Sequence, residues 1–170
     1  MRGFSWLRDR QIRQWLIPTP RQSFDHYAVS GELFGLFADE FPIVVGRVAH
    51  EHNPHWSEEL REEKFWWLSL FSTDRSHTEA GSGRTFLCEL FAYLETRTAT
   101  ALHLDCVNIK EALPSFYHAC GFARLAEKDV TYQSGNTFPM MLMRAPVPKP
   151  ALEGGQVASG ARSAELSRRA

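Results

Sequence analysis

Apolar positions along the chain follow two periods. Leu33 to Phe37 and Pro42 to Val48 carry strand-type residues on either side of the turn Ala38-Asp39-Glu40-Phe41, which predicts an antiparallel pair. Lys64 to Thr73 (KFWWLSLFST) is a bulky run of strand length, expected to be the central strand and buried on both faces. The period then changes. Phe86, Leu87, Leu90, Phe91 and Leu94 recur at i, i+1, i+4, i+5 and i+8, the apolar stripe of a helix. Leu102, Leu104 and Cys106 alternate against His103 and Asp105 as in a strand. A short helix through Ser115–His118 stops at Gly121, and Phe138–Met143 forms a last strand. Two helical stretches, Arg8–Leu16 and Ser23–Val29, precede Leu33. The order ααββ(loop)βαβαβ predicts an α/β (α+β) layer fold with helices covering a sheet.

Composition narrows the classes. A chain of 170 residues, 44% hydrophobic, is long enough to bury a core without disulfides or metal. A net charge of −1 argues against binding nucleic acid through a bulk phosphate field. No apolar run approaches the roughly 18 residues of a membrane span. Cys88, Cys106 and Cys120 form an odd set without a C-x-x-C pair, each in apolar surroundings, which suits buried thiols in a reducing compartment, the cytoplasm by default. The first 18 residues lack the continuous apolar core of a secretory signal, and Ile12, Trp15 and Leu16 fall at helical spacing. From Pro146 onward Pro, Gly, Ala and Ser dominate, so the expected folded domain spans 1–144 and a flexible tail spans 145–170.

The segment TDRSHTEAGSGRTFL joins the central strand to the strongest helix through two glycines. Backbone N–H groups at Ala80, Gly81, Ser82 and Gly83 would lie at a helix start, where the dipole favours an anion. Ser82, Thr85 and Arg84 can add donors. An ordinary strand–turn–helix corner is the alternative. The loop lacks the Gly-Lys-Ser/Thr of a Walker A motif, and Phe86 replaces the third glycine of a dinucleotide fingerprint.

Downstream, LHLDCVN and EALPSFYHACGF give a strand, a loop, a helix carrying Tyr117 and a Gly121-Phe122 corner. Here the sequence resembles the GNAT superfamily of acyl-CoA-dependent N-acyltransferases, over about residues 8–144. Gly81-Ser82-Gly83 falls on that family's G-x-G pyrophosphate loop, and Tyr117 keeps the family's four-residue spacing to the Gly of a Gly-Phe pair. Val44-Val45-Gly46-Arg47 resembles its third strand. Thr78 stands where the family has Gln or Arg, which leaves Arg75, His77 or Arg84 to supply charge.

The resemblance implies a mixed, largely antiparallel central sheet that splays between the central strand and the strand after the main helix. It implies acetyl-CoA or another acyl-CoA as co-substrate and direct transfer of the acyl group to a primary amine. Phe71, Ser72 and Thr73 would meet the pantetheine and thioester through their backbone; Thr78, Glu79, Ala80, Gly81, Ser82, Gly83 and Arg84 the pyrophosphate; Asn108 and Tyr117 also line the cofactor. Tyr117 matches the family's general acid, a phenol protonated at neutral pH. A core aromatic is the plainer reading of the same residue. Glu63 and His52 are the candidate bases, each also readable as a solvated loop residue. His103 and Asp105 share one strand face, and one of them could line the acceptor side; a satisfied pair at a sheet surface is the alternative. Trp15, Trp56, Trp66 and Trp67 suit either an acceptor pocket or core packing. HEHNPH (His50–His55) lacks the helical H-E-x-x-H spacing, so no metal is expected. Acidic residues between His50 and Glu63 favour a cationic acceptor, a small amine or amino-group metabolite. A protein amine, a non-catalytic acyl-CoA sensor and a cofactor-free interaction protein remain as alternatives, and a homodimer is compatible with each.

Overall fold

The computed structural model describes residues 20–61, 64–74, 81–132 and 135–148. Helix α1 (Arg21–Val29) leads into a hairpin of β1 (Leu33–Ala38) and β2 (Phe41–Glu51). A 3-10 turn (Pro54–Trp56) precedes β3 (Phe65–Thr73), and α2 (Ser82–Thr96) follows it. Then come β4 (Ala101–Val107), α3 (Ala112–Ala119), β5 (Ala123–Thr131) and β6 (Thr137–Pro146). The six strands form one sheet in the order β1-β2-β3-β4-β6-β5, antiparallel at every pairing except β3 with β4.

Alternation along the strands divides the core. On one face Val44, Val48, Leu68, Leu102, Leu104, Met141 and Met143 pack under the α2 stripe of Phe86, Leu87, Leu90 and Leu94. On the other, Trp67, Val107, Val130, Met140 and Leu142 gather around Trp56 and Leu60 from the 3-10 segment. Among the described residues no long helix covers that second cluster. Arg47, on the second face of β2, donates to Glu32 (2.8 Å) and through both terminal nitrogens to Glu51, and lies 4.5 Å from the centroid of the Tyr27 ring. The Glu51 hydrogen bonds hold the guanidinium firmly charged, and the contacts tie α1 to the sheet.

Four expectations change. β5 was not foreseen, because ARLAEKDVT is polar and its residues are mostly exposed at a sheet edge. The last strand runs past Met143 to Pro146, with Ala145 and Val147 buried and Val147 N–H bonded to Thr100 O (3.0 Å). In β3 only Trp67 and Leu68 are buried, not both faces throughout. Of the cysteines only Cys106 is buried; Cys88 is exposed, being off the inward stripe of α2. Arg8–Leu16 and residues after Pro148 lie outside the described residues. Among the described residues no helix is long and apolar enough to cross a membrane.

Candidate active site

β3 is built to part from its neighbour. It pairs in parallel with β4 only at Trp66↔Leu102, Trp67↔His103 and Leu68↔Leu104. Beyond Leu104, β4 stays with β6 (Asp105↔Leu142, Cys106↔Met141, Val107↔Met140), while β3 stays with β2 (Val45↔Ser72, Val44↔Thr73). The cause of the divergence is local. Between Ser69 and Ser72, β3 spans three steps against the two from Arg47 to Val45, a bulge in which Leu70 takes φ 52°. Gly46 lies opposite, under Leu68 and Phe86. The edge of β3 from Ser69 to Thr73 thus faces a wedge that β4 does not fill.

Two helices converge on the wedge. Gly81 caps α2 at φ 102°, a left-handed conformation that favours glycine, and brings no side chain to its N–H groups. A Cβ added at Gly81 would meet nothing within 4 Å. Gly83 differs: its Cβ would touch Phe116 and Phe71 at 3.4 Å and Thr73 at 3.7 Å, so it is small because α2 starts against the end of β3 and against α3. Phe71 stacks on Phe116 (6.2 Å) and lies 6.2 Å from Tyr117. Tyr117 is buried between Phe71, Phe116 and Phe122, and burial pushes its phenol far above the ordinary value, holding it protonated.

Across the wedge, on the face away from α2, stands Asp105, the first β4 residue beyond the paired stretch. Its Oδ2 accepts from Trp56 Nε1 at 2.8 Å. Burial raises its pKa, and the Trp56 bond and nearby His55 pull it down. His103, two residues earlier on the same face, is 2% exposed between Phe65 (4.6 Å) and Trp67 (6.4 Å, stacked). Burial first, then the charge of Arg144, lowers its pKa to about 4.

The chain shares its architecture with solved N-acetyltransferases. It superposes on the ribosomal-protein-S18-alanine N-acetyltransferase of Escherichia coli with a TM-score of 0.59 at 16% identity, over 85% of each chain. A Brucella melitensis ribosomal-protein-alanine N-acetyltransferase gives 0.57 at 15%, covering 74% of this chain and 75% of that one. A Bacillus subtilis acetyltransferase solved with CoA gives 0.57 at 14%, covering 79% and 88%. The fold is the GNAT fold. No family model and no curated protein matches the chain, so the likeness is one of architecture.

Within the GNAT fold the predicted residues separate. Phe71, Ser72, Thr73, Gly81, Ser82, Gly83, Arg84 and Tyr117 cluster where the end of β3 meets the start of α2 and the flank of α3. Thr78, Glu79, Ala80 and Glu63 lie outside the described residues, as do Arg75, His77 and Trp15. Asn108 turns away toward β5, its Nδ2 donating to Glu127 Oε1 at 2.9 Å. His52 is half-buried, its Nε2 without a hydrogen bond among the described residues. The HEHNPH run is dispersed, His50 beside Trp66, Glu51 on Arg47 and His55 beside Tyr132. Among the described residues no set of three or more His, Cys, Asp or Glu is placed to hold a metal. Sequence alternation put Asp105 on a face with His103 but gave no sign of its tie to Trp56, 49 residues away.

Proposed function

We propose that this protein is an acyl-CoA-dependent N-acyltransferase, in the first place an acetyltransferase, acting on a primary amine. The observation that carries the reading is the wedge between β3 and β4. Among the described residues it leaves the Ser69–Thr73 edge unpaired by β4, beside a helix that starts on a glycine, with a buried phenol on one side and a half-buried carboxylate on the other. These residues fit acyl-CoA. The open approach at Gly81 and the first N–H groups of α2 suit a pyrophosphate, and the Ser69–Thr73 edge suits the amides of a pantetheine arm.

Asp105, rather than Glu63 or His52, is then the base of choice. A carboxylate whose pKa is raised by burial is better matched to an ammonium than a solvated one. It takes a proton from the acceptor; the amine nitrogen attacks the thioester carbonyl; the C–S bond breaks and the C–N bond forms. Tyr117 delivers a proton to the departing thiolate, and the proton shed by the nitrogen as the amide forms passes through water to restore the phenol. The acceptor is a small amine or amino-group metabolite, the class to which the Asp105 carboxylate offers charge pairing.

The test is a thermal shift with acetyl-CoA, CoA and ATP, followed by an acceptor screen that reads released thiol. Ligand at 100 times Kd should stabilise the fold by about 2.7 kcal/mol. Stabilisation by acetyl-CoA without thiol release on any amine or peptide N-terminus would leave a non-catalytic binder. No shift with any of the three would remove the wedge as a nucleotide site.

A further inference from the structure

The second core cluster contains a polar device whose parts come from three distant segments. Trp56, 0% exposed, is one of the two tryptophans of that cluster. Asn53 caps the 3-10 turn that carries it, its Oδ1 accepting from His55 N–H at 3.0 Å, with Pro54 in the first turn. Lys128 from β5 lies 4.7 Å from the centroid of the indole and is itself held by Glu59 (2.8 Å), which comes from the same segment as Trp56. The indole therefore carries Lys128 over its ring, and its one donor is spent on Asp105.

We propose that Trp56 is a positioning residue for the acyl-transfer base, orienting the Asp105 carboxylate by occupying Oδ2 and setting the pH at which it accepts a proton. The proposal rests on the N-acyltransferase reading and on Asp105 as its base. A charge-assisted hydrogen bond of 2.8 Å to a half-buried carboxylate favours the ionised form. Among the described residues, the titratable groups whose charge bears on Asp105 come from four elements and lie on both faces of the sheet. On its own strand are His103, neutral above about pH 4, and Cys106, whose thiol is pushed up to about 12 by burial and then by Asp105. His55 comes from the 3-10 segment, Tyr132 from the end of β5 (pushed up to about 12) and Tyr117 from α3. Lys128 and Glu59 neutralise each other at the far side of the indole. Among these, Trp56 is the one that donates directly to the carboxylate.

The experiment removes the donor and keeps the shape. Trp56→Phe, or replacement by benzothienylalanine, which substitutes sulfur for the indole N–H at nearly unchanged volume, is compared with the wild type. Two readouts are taken: the 13C titration of the Asp105 carboxyl, which needs no turnover, and the acid limb of kcat/KM against pH. Both midpoints should rise together, with kcat/KM on the acid limb falling by roughly tenfold. An unmoved carboxyl midpoint in the folded benzothienylalanine protein overturns the role of Trp56 alone. A wild-type acid limb that does not coincide with the carboxyl titration overturns Asp105 as the base, whatever the substitution does.

Discussion

His103 occupies the space between Phe65 and Trp67 with its Nδ1 lacking a hydrogen bond. Its pKa falls from 6.5 to about 4 because burial penalises the charged ring. A depressed folded-state pKa contributes stability that is complete above about pH 6.5 and lost as pH falls toward 4. Between pH 4 and 7 the wild type should therefore gain about 3 kcal/mol more unfolding free energy than His103→Leu, measured by urea titration. Equal pH slopes would mean the imidazole charges in place. For Tyr117, burial among aromatic rings keeps the phenol a proton donor. Tyr117→Phe preserves the ring packing, so acetyl-CoA affinity should hold while kcat falls about 10²-fold. Unchanged kcat in a stable variant would return Tyr117 to the core.

At the scale of elements, the meeting of β2, β3 and α2 governs the wedge. Gly46 stands opposite the Leu70 bulge, and a Cβ there would lie 3.0 Å from both Leu68 and Phe86. Gly46→Ala should destabilise by about 1–3 kcal/mol through overpacking and weaken CoA binding by displacing α2 from the bulge. Denaturant unfolding and calorimetry check the two effects. Gly81 tests the helix start separately. At φ 102° with open space around it, Gly81→Ala should cost about 1–2 kcal/mol in backbone strain with no steric clash. A stability loss as small as a few tenths would show that the cap relaxes. The α2 stripe was readable from periodicity because that helix buries one face. The bulge was not, since Leu70 is an ordinary strand residue whose left-handed φ follows from its pairing with β2.

For the whole molecule, the C-terminal boundary is a matter of packing. Ala145 and Val147 are buried against the helix-side core. A chain ending at Pro148 should match the full-length melting temperature. One ending at Arg144 should lose about 2 kcal/mol or more, several degrees at this size. Equal melting temperatures for the two truncations would show that the end of β6 contributes nothing. Composition drew the folded boundary at 144 because Pro146 and Pro148 look like linker, and only the register with β4 revealed a longer strand.

By itself the sequence determined the element order from α1 to α3, the central strand, the stripe of α2 and the glycines at its start. Those depend on local period and backbone freedom, which neighbouring residues encode. It also held the spacing from Tyr117 to Gly121, a distance within one helix and its stop. Tertiary structure decided where β3 and β4 separate, which of His52, Asp105 and the HEHNPH residues face the opening, and that Trp56 reaches Asp105. Each depends on a contact between segments tens of residues apart, and a charge patterned along one strand cannot specify the partner that meets it from another.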